Sequence, residues 1–258
     1  MICIAVANQK GGVGKTTTAI NIATAMAATG WRTLLVDLDP QGNASTGLGI
    51  SAADREYSSY DLLLEEAKVS GCVVPTHIPR LDIVPATVDL SGAEVELVGL
   101  ERRTDRLRAA LDAHRGHDIC FIDCPPSLGL LTLNALAAAN TLLVPLQCEF
   151  FALEGLSQLL KTVERVQQGF NPSLGIIGIA LTMFDRRNRL TDQVADDVRE
   201  CLGPLVFETV IPRNVRLSEA PSHGLPALIY DQGCAGSQAY MALARELIGR
   251  LPPQREAA

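Results

Sequence analysis

Asn8-Gln9-Lys10-Gly11-Gly12-Val13-Gly14-Lys15-Thr16-Thr17-Thr18 follows a short apolar run, Ile2 to Ala7, and opens an alanine-rich helical pattern. The order is strand, glycine loop, helix N-terminus, the setting a phosphate-binding loop requires. Gly11, Gly12 and Gly14 carry no Cβ, so consecutive backbone N–H groups can turn inward around phosphate oxygens. A helix beginning near Lys15 adds the positive end of its dipole at the same spot. In this reading Lys15 brings a point charge to the β and γ phosphates, and the Thr16 hydroxyl is a ligand for Mg²⁺. The general pattern G-x-x-x-x-G-K-[ST] is met with one departure: its first glycine is Gln9 here, with Lys10 beside it.

Moving outward, Thr33 to Leu38 reads as a short strand buried on both faces, after a helix that Gly30 stops. It runs into Asp37-Leu38-Asp39-Pro40-Gln41-Gly42-Asn43, which sets carboxylates at the C-terminal end of a strand, where open α/β sheets bind ligands. Ile119 to Ile122 followed by Asp123 has the Walker B form, in which the acid serves Mg²⁺. Cys124-Pro125-Pro126-Ser127 then forms a stiff turn suited to sensing a γ phosphate.

The remaining pattern alternates. Strands are expected at Leu81 to Pro85, Leu142 to Leu146, Leu174 to Met183 and Val206 to Ile211. Helices are expected around Leu62 to Lys68, from Glu94 to His114, from Leu153 to Gln168, from Thr191 (capped by Thr191 or Asp192) to Leu202, and from Ser237 to Leu251. Such alternation predicts an α/β fold: a single domain over residues 1–251 with a mostly parallel twisted sheet of about seven or eight strands and helices on both faces. Residues 252–258 are expected as a flexible tail.

The 258 residues, 47% hydrophobic and 20% charged, suit one compact core. A net charge of −7 excludes a global positive field, so any nucleic-acid contact must come from a local patch. With no secretory leader pattern ahead of them, the seven cysteines are expected as buried thiols of a reducing cytoplasm, and Cys120 and Cys124 do not have zinc-site spacing. His114 and His117 read as exposed groups near a helix end. Arg102, Arg103, Arg106 and Arg108 read as a solvated face paired with Glu101, Asp105 and Asp112. Cys124 to Cys148 has no charge, but prolines and asparagines break it into turn, helix and strand rather than a membrane span.

Taken together, K-G-G-V-G-K-T, D-L-D-P-Q-G-N at Asp37 to Asn43, I-D-C-P-P-S at Ile122 to Ser127, F-A-L-E-G-L-S-Q-L-L at Phe151 to Leu160 and I-P-R-N-V-R-L-S-E-A-P-S at Ile211 to Ser222 resemble the ParA/Soj partition ATPases, with their deviant Walker A loop. The resemblance implies an ATPase of slow intrinsic turnover that uses ATP/ADP and Mg²⁺ and forms an ATP-sandwiched homodimer. It also implies nonspecific binding to double-stranded DNA in that state, stimulation by a ParB-like partner, and a cytoplasmic, nucleoid-associated life without membrane contact. By the same resemblance, Lys10 reaches the partner subunit's phosphates while Lys15 serves its own. Gly11, Gly12, Val13, Gly14, Thr16 and Thr17 cradle the nucleotide; Asp39 orients the attacking water and, with Thr16 and Asp123, serves the metal. Pro212 and Asn214 match adenine-contacting positions. Arg187 and Arg216, assisted by Arg186, Arg189 and Arg213, match DNA-contacting ones. The alternative is a MinD-like membrane-positioning ATPase, which would need a basic amphipathic C-terminal helix.

Overall fold

The computed structural model describes residues 1–252, so all but the first residue of the expected 252–258 tail lies outside the described residues. Seven strands form one sheet: β1 (Ile2–Val6), β2 (Thr33–Asp37), β3 (Val74–Pro75), β4 (Leu81–Val84), β5 (Ile119–Asp123), β6 (Thr141–Gln147) and β7 (Gly175–Thr182). Their order is β3-β4-β2-β5-β1-β6-β7. All neighbours are parallel except β3, which pairs antiparallel with β4 at the edge.

The apolar runs form central strands because both faces are covered. Side chains alternate, so Cys3 and Ala5 of β1 enter one core while Ile4 and Val6 enter the other. The second core is closed by α1 (Lys15–Ala28), α2 (Asn43–Gly47), α10 (Val215–Glu219), α11 (Ala227–Tyr230) and α12 (Ala235–Arg250). The first is closed by α3 (Ser59–Leu63), α4 (Val69–Cys72), α5 (Leu90–Val98), α6 (Arg106–Ala113), α7 (Leu130–Ala138), α8 (Ala152–Gly169) and α9 (Arg189–Leu202). Because β1 lies between β5 and β6, strand order reverses beside it, and the loops leaving β1, β2 and β5 gather at one crevice.

Several expectations need correction. The helix expected from Glu94 to His114 is two, α5 and α6: Gly99 closes α5, Arg102 takes φ 54, and Asp105 collects ion pairs from Arg102 and Arg108. Arg106 leaves the solvated face; its side chain is 11% exposed and donates to Leu63 O (3.2 Å). Val206 to Ile211 is no strand. Its backbone hydrogen-bonds β7 through Phe207 N to Ile179 O (2.9 Å) and Ile211 N to Leu181 O (2.8 Å), while the Glu246 carboxylate of α12 accepts the N–H groups of Glu208 (2.8 Å) and Thr209 (3.1 Å) between them. Asn188, not Thr191 or Asp192, caps α9, accepting from Leu190 N (3.1 Å). His117 is buried rather than exposed, sharing hydrogen bonds with His114 (2.7 Å) and Asp82 (2.9 Å) under the N-terminal edge of the sheet. Cys3, Cys72, Cys120, Cys124 and Cys148 are buried free thiols, as expected; Cys201 is exposed.

The β6–β7 pairing skips a residue, from Leu142↔Ile176 to Leu143↔Gly178. A Cβ on Gly178 would lie 2.3 Å from the Phe207 ring, against which the Arg250 guanidinium stacks at 3.9 Å. Gly178→Ala is therefore expected to cost about 1–3 kcal/mol by overpacking, read as a lower urea midpoint at unchanged slope.

Candidate functional site

The loop leaving β1 is held open by its own backbone. Gly12 (φ 76) and Gly14 (φ 85) occupy left-handed conformations, whereas Gly11 has neither positive φ nor any protein atom within 4 Å of a would-be Cβ. Nothing in the protein demands glycine at position 11, which leaves close approach of a ligand as its reason. Asn8 anchors the loop's start, donating to Pro145 O (2.7 Å) and accepting from Lys10 N (3.1 Å). Thr182 of β7 anchors its middle, donating to Val13 O (2.8 Å).

The two lysines diverge. Lys15 is 7% exposed and turns its Nζ into the loop, donating to Lys10 O (3.0 Å). Burial pulls its ammonium below the usual lysine range, opposed chiefly by the charge of Asp123. Lys10 turns outward, its half-exposed side chain ion-paired with Glu149 beyond β6. Beside that pair, Phe150 (75% exposed) and Phe151 (62% exposed) stack edge to face at 5.1 Å.

Three carboxylates converge opposite Lys15, because parallel register sets Asp37 of β2 beside Asp123 of β5. Burial pushes Asp37 up to about 6, against the charge-favouring hydrogen bonds it accepts from Ser45 Oγ (2.7 Å), Ser45 N (2.9 Å) and Asp39 N (3.2 Å). Burial, then the neighbouring Asp37, pushes Asp123 well above the usual carboxylate range. The Thr16 hydroxyl lies near enough to offset part of that shift, yet both Asp123 oxygens are buried without a well-formed hydrogen bond. Asp39, 9% exposed, accepts from Gln41 N (3.0 Å).

A buried acid with two unsatisfied oxygens, a like charge alongside and a hydroxyl facing it is a donor set for a hard divalent cation. Among the described residues no group of three or more acid, His or Cys side chains forms a self-sufficient metal cage. That suits Mg²⁺, which is held by one or two carboxylates together with phosphates and water.

A cavity of about 250 Å³ opens from Gly14 and Thr17 toward Pro212, Asn214, Met183 and Tyr240. The expected base contacts and the phosphate loop thus share one crevice. Asn214 also accepts from Arg216 N (2.8 Å), capping α10. A larger cavity of about 550 Å³, between the 62–70 stretch and α6, lies apart from this chemistry.

Arg213 N donates to Phe184 O (3.0 Å), which brings the loop of Arg186, Arg187 and Arg189 alongside Arg213 and Arg216. All five are exposed, and Arg213 lines the cavity of about 250 Å³. Two are partly neutralised: Arg187 makes a bidentate pair with Asp185 (2.9 Å each), and Arg216 meets Glu219 (2.8 Å) and Asp231 (3.5 Å). The Arg187 pair holds the Asp185 carboxyl down at about 2.

The family model described as an AAA domain matches residues 1–176. The chromosome partitioning protein ParA of Caulobacter vibrioides is 60% identical, over 96% of this chain and 94% of its own. The chain belongs to the ParA/Soj family. The sporulation initiation inhibitor protein Soj of Bacillus subtilis is 53% identical, over 95% of this chain and 97% of its own. Among solved structures, a cobyrinic acid a,c-diamide synthase from Mycobacterium smegmatis with bound ADP and magnesium is 39% identical, with a TM-score of 0.84, covering 96% of this chain and 94% of that one. The expected α/β fold with helices on both faces of a largely parallel sheet is therefore that of the ParA/MinD superfamily of P-loop ATPases. No helix among the described residues is long and apolar enough to cross a membrane.

Within this ParA/Soj chain, sequence reasoning passed over Asn8, Thr182 and Glu149 as site residues. Asn8 stood in the quoted motif itself; Glu149 followed a predicted strand, the same signal that marked Asp39 and Asp123.

Proposed function

We propose that this protein binds Mg·ATP in the crevice above β1, dimerises across the bound nucleotide, holds DNA nonspecifically in that state, and is reset by hydrolysis that a ParB-like partner stimulates. The divergence of the two lysines carries this reading. Lys15 is committed to its own loop, whereas Lys10 projects outward to a partly exposed ion pair with Glu149, next to the exposed Phe150 and Phe151, from which it can turn to phosphates presented by a second copy. A γ phosphate then meets charge from both subunits, which makes ATP and not ADP the adhesive.

In the hydrolysis step the backbone N–H groups from Gly11 to Thr17 and Lys15 hold the β and γ phosphates. Thr16 and Asp123 would hold Mg²⁺, with Asp39 beside them. Mg²⁺ would supply charge neutralisation at the β and γ oxygens. Asp39 orients a water in line with the γ phosphorus, and Lys10 of the facing subunit stabilises the charge that shifts toward the leaving oxygen. Pro212 packs on the base while Asn214 offers its amide. Intrinsic turnover is slow because the second lysine arrives only with the partner subunit.

DNA binding follows from doubling a weak patch. Arg186, Arg187, Arg189, Arg213 and Arg216 contact phosphates, which carry no sequence information. If each subunit reaches about two phosphates, the slope of log affinity against log salt moves from about −2 in the monomer to about −4 in the dimer. A cytoplasmic, nucleoid-associated location follows from this. Among the described residues the last helix does not suit the membrane alternative: α12 buries Tyr240, Leu243, Ala244 and Leu247, and Arg250 is spent on Ile177 O, Leu205 O and Val206 O.

Duplex binding by the purified protein without nucleotide, with ADP and with ATP over a salt series tests the scheme. ATP-dependent binding with the steeper slope is expected, and equal binding in all three states would reject it. Arg216→Glu is expected to keep ATP-dependent dimerisation and to lower DNA affinity at least tenfold at low salt (about 1.4 kcal/mol); normal affinity would move the DNA surface elsewhere.

A further inference from the structure

The segment after Asp39 is braced by a residue outside every motif. Arg55 follows the short turn Ala52–Asp54, and its guanidinium donates to Ala86 O (3.0 Å), Thr46 Oγ1 (2.9 Å) and Ile50 O (2.8 Å). Its Nε–H is buried without a partner. A fork spread over three acceptors, with one donor left dry, is not a solvated surface arginine.

Those acceptors belong to two different parts of the fold. Thr46 and Ile50 lie in α2 and its exit, while Ala86 lies in the turn leaving β4. Ser45 stitches the same two parts together, donating Oγ to Asp37 (2.7 Å) and accepting from Ala86 N (3.0 Å). Gly42 (φ 61), whose N–H bonds Asp39 O (2.8 Å), has a would-be Cβ only 2.6 Å from Arg55 Nη1 and 3.2 Å from Ala86 O. The turn that carries Asp39 therefore lies directly against the guanidinium. Without that brace, the Ser45–Ala86 bond is what remains of this tie between α2 and the turn leaving β4.

We propose that Arg55 is a positioning residue for hydrolysis: it clamps the segment from Asp39 through α2 to the end of β4, and so holds Asp39 in line with the phosphate loop. The proposal rests on Asp39 as the water-orienting carboxylate. Lysine cannot replace arginine here, since a single ammonium does not span acceptors on both elements. Arg55 touches no part of the phosphate loop, so its loss acts on the chemical step and not on nucleotide binding.

The test uses the full chain, with turnover at saturating Mg·ATP measured separately from the ATP Kd. Arg55→Ala is expected to lower kcat by about 10- to 100-fold, the cost of a misplacement on the order of 1 Å, while Kd stays within about twofold. Arg55→Lys should recover little of this, and adding Arg55→Ala to Asp39→Ala should lower the residual rate no further. Unchanged kcat in Arg55→Ala, a Kd that weakens in parallel, or a further fall in the double variant would each overturn the proposal. Should Arg55→Ala not fold, Thr46→Val removes one acceptor only; a few-fold loss in kcat at constant Kd supports the brace, and an unchanged kcat overturns it. The two levels separate cleanly. Normal turnover in Asp39→Ala removes the reading of Asp39 and the proposal with it, whereas an inactive Asp39→Ala beside a fully active Arg55→Ala removes only the brace.

Discussion

Lys15→Ala is expected to abolish ATP binding at concentrations that saturate the parent protein. Lys15 is a buried cation within the field of Asp123 and Asp39, and burial already strains its charge. Removing one partner from a buried set of charges costs about 3–5 kcal/mol, because the others are left uncompensated. Here the loss acts twice: the phosphates lose their cation and meet acids whose nearby ammonium is gone. At about 1.4 kcal/mol per decade, the Kd should weaken by at least about 10²-fold, measured by competition with a fluorescent ATP analogue. Retained affinity within a few-fold would contradict the assignment of the loop. Raising Mg²⁺ should restore little, since the metal answers Asp123 and not the position Lys15 fills at the loop.

How far the sequence reached depended on how local each cause was. The phosphate loop was legible because its requirements are local: positive φ at Gly12 and Gly14, a bare position at Gly11, and a helix starting at Lys15. The acids were legible for a related reason, since Asp37 and Asp123 end apolar strands that register then aligns. Val206 to Ile211 misled because two of its N–H groups, those of Glu208 and Thr209, are claimed by Glu246, which sits on a helix much later in the chain. His117 misled likewise, since its burial depends on Asp82 of another strand. Arg55 carries no local signature: it looks like an ordinary surface charge until the fold sets it against Gly42, and Glu149, although it follows a strand as Asp39 and Asp123 do, shows its part only once it meets Lys10. Nor did the run of arginines announce that Asp185, Glu219 and Asp231 hold two of them.

Lys10→Ala is expected to separate binding from assembly. Lys10 lies outside its own loop's grip, so the variant should bind ATP within about threefold of the parent (about 0.7 kcal/mol). Its dimer should nevertheless be lost, and turnover should fall by about 10³-fold or more, the range over which a cation supplied in trans accelerates phosphoryl transfer. The Glu149 ion pair does not prevent the parent lysine from crossing to the other subunit. Both partners are partly exposed, and such a pair contributes about 0–1 kcal/mol. Two such pairs break in a symmetric dimer, a handicap of at most about 2 kcal/mol or about thirtyfold, small beside two lysines converging on each γ phosphate. Light scattering with ATP, paired with single-turnover hydrolysis, gives both readouts on one sample. Parent-like assembly by Lys10→Ala would mean that exposed apolar side chains such as Phe150 and Phe151 join the subunits without it. Lys10 would then act on the reaction alone, and dimerisation would no longer report which nucleotide is bound.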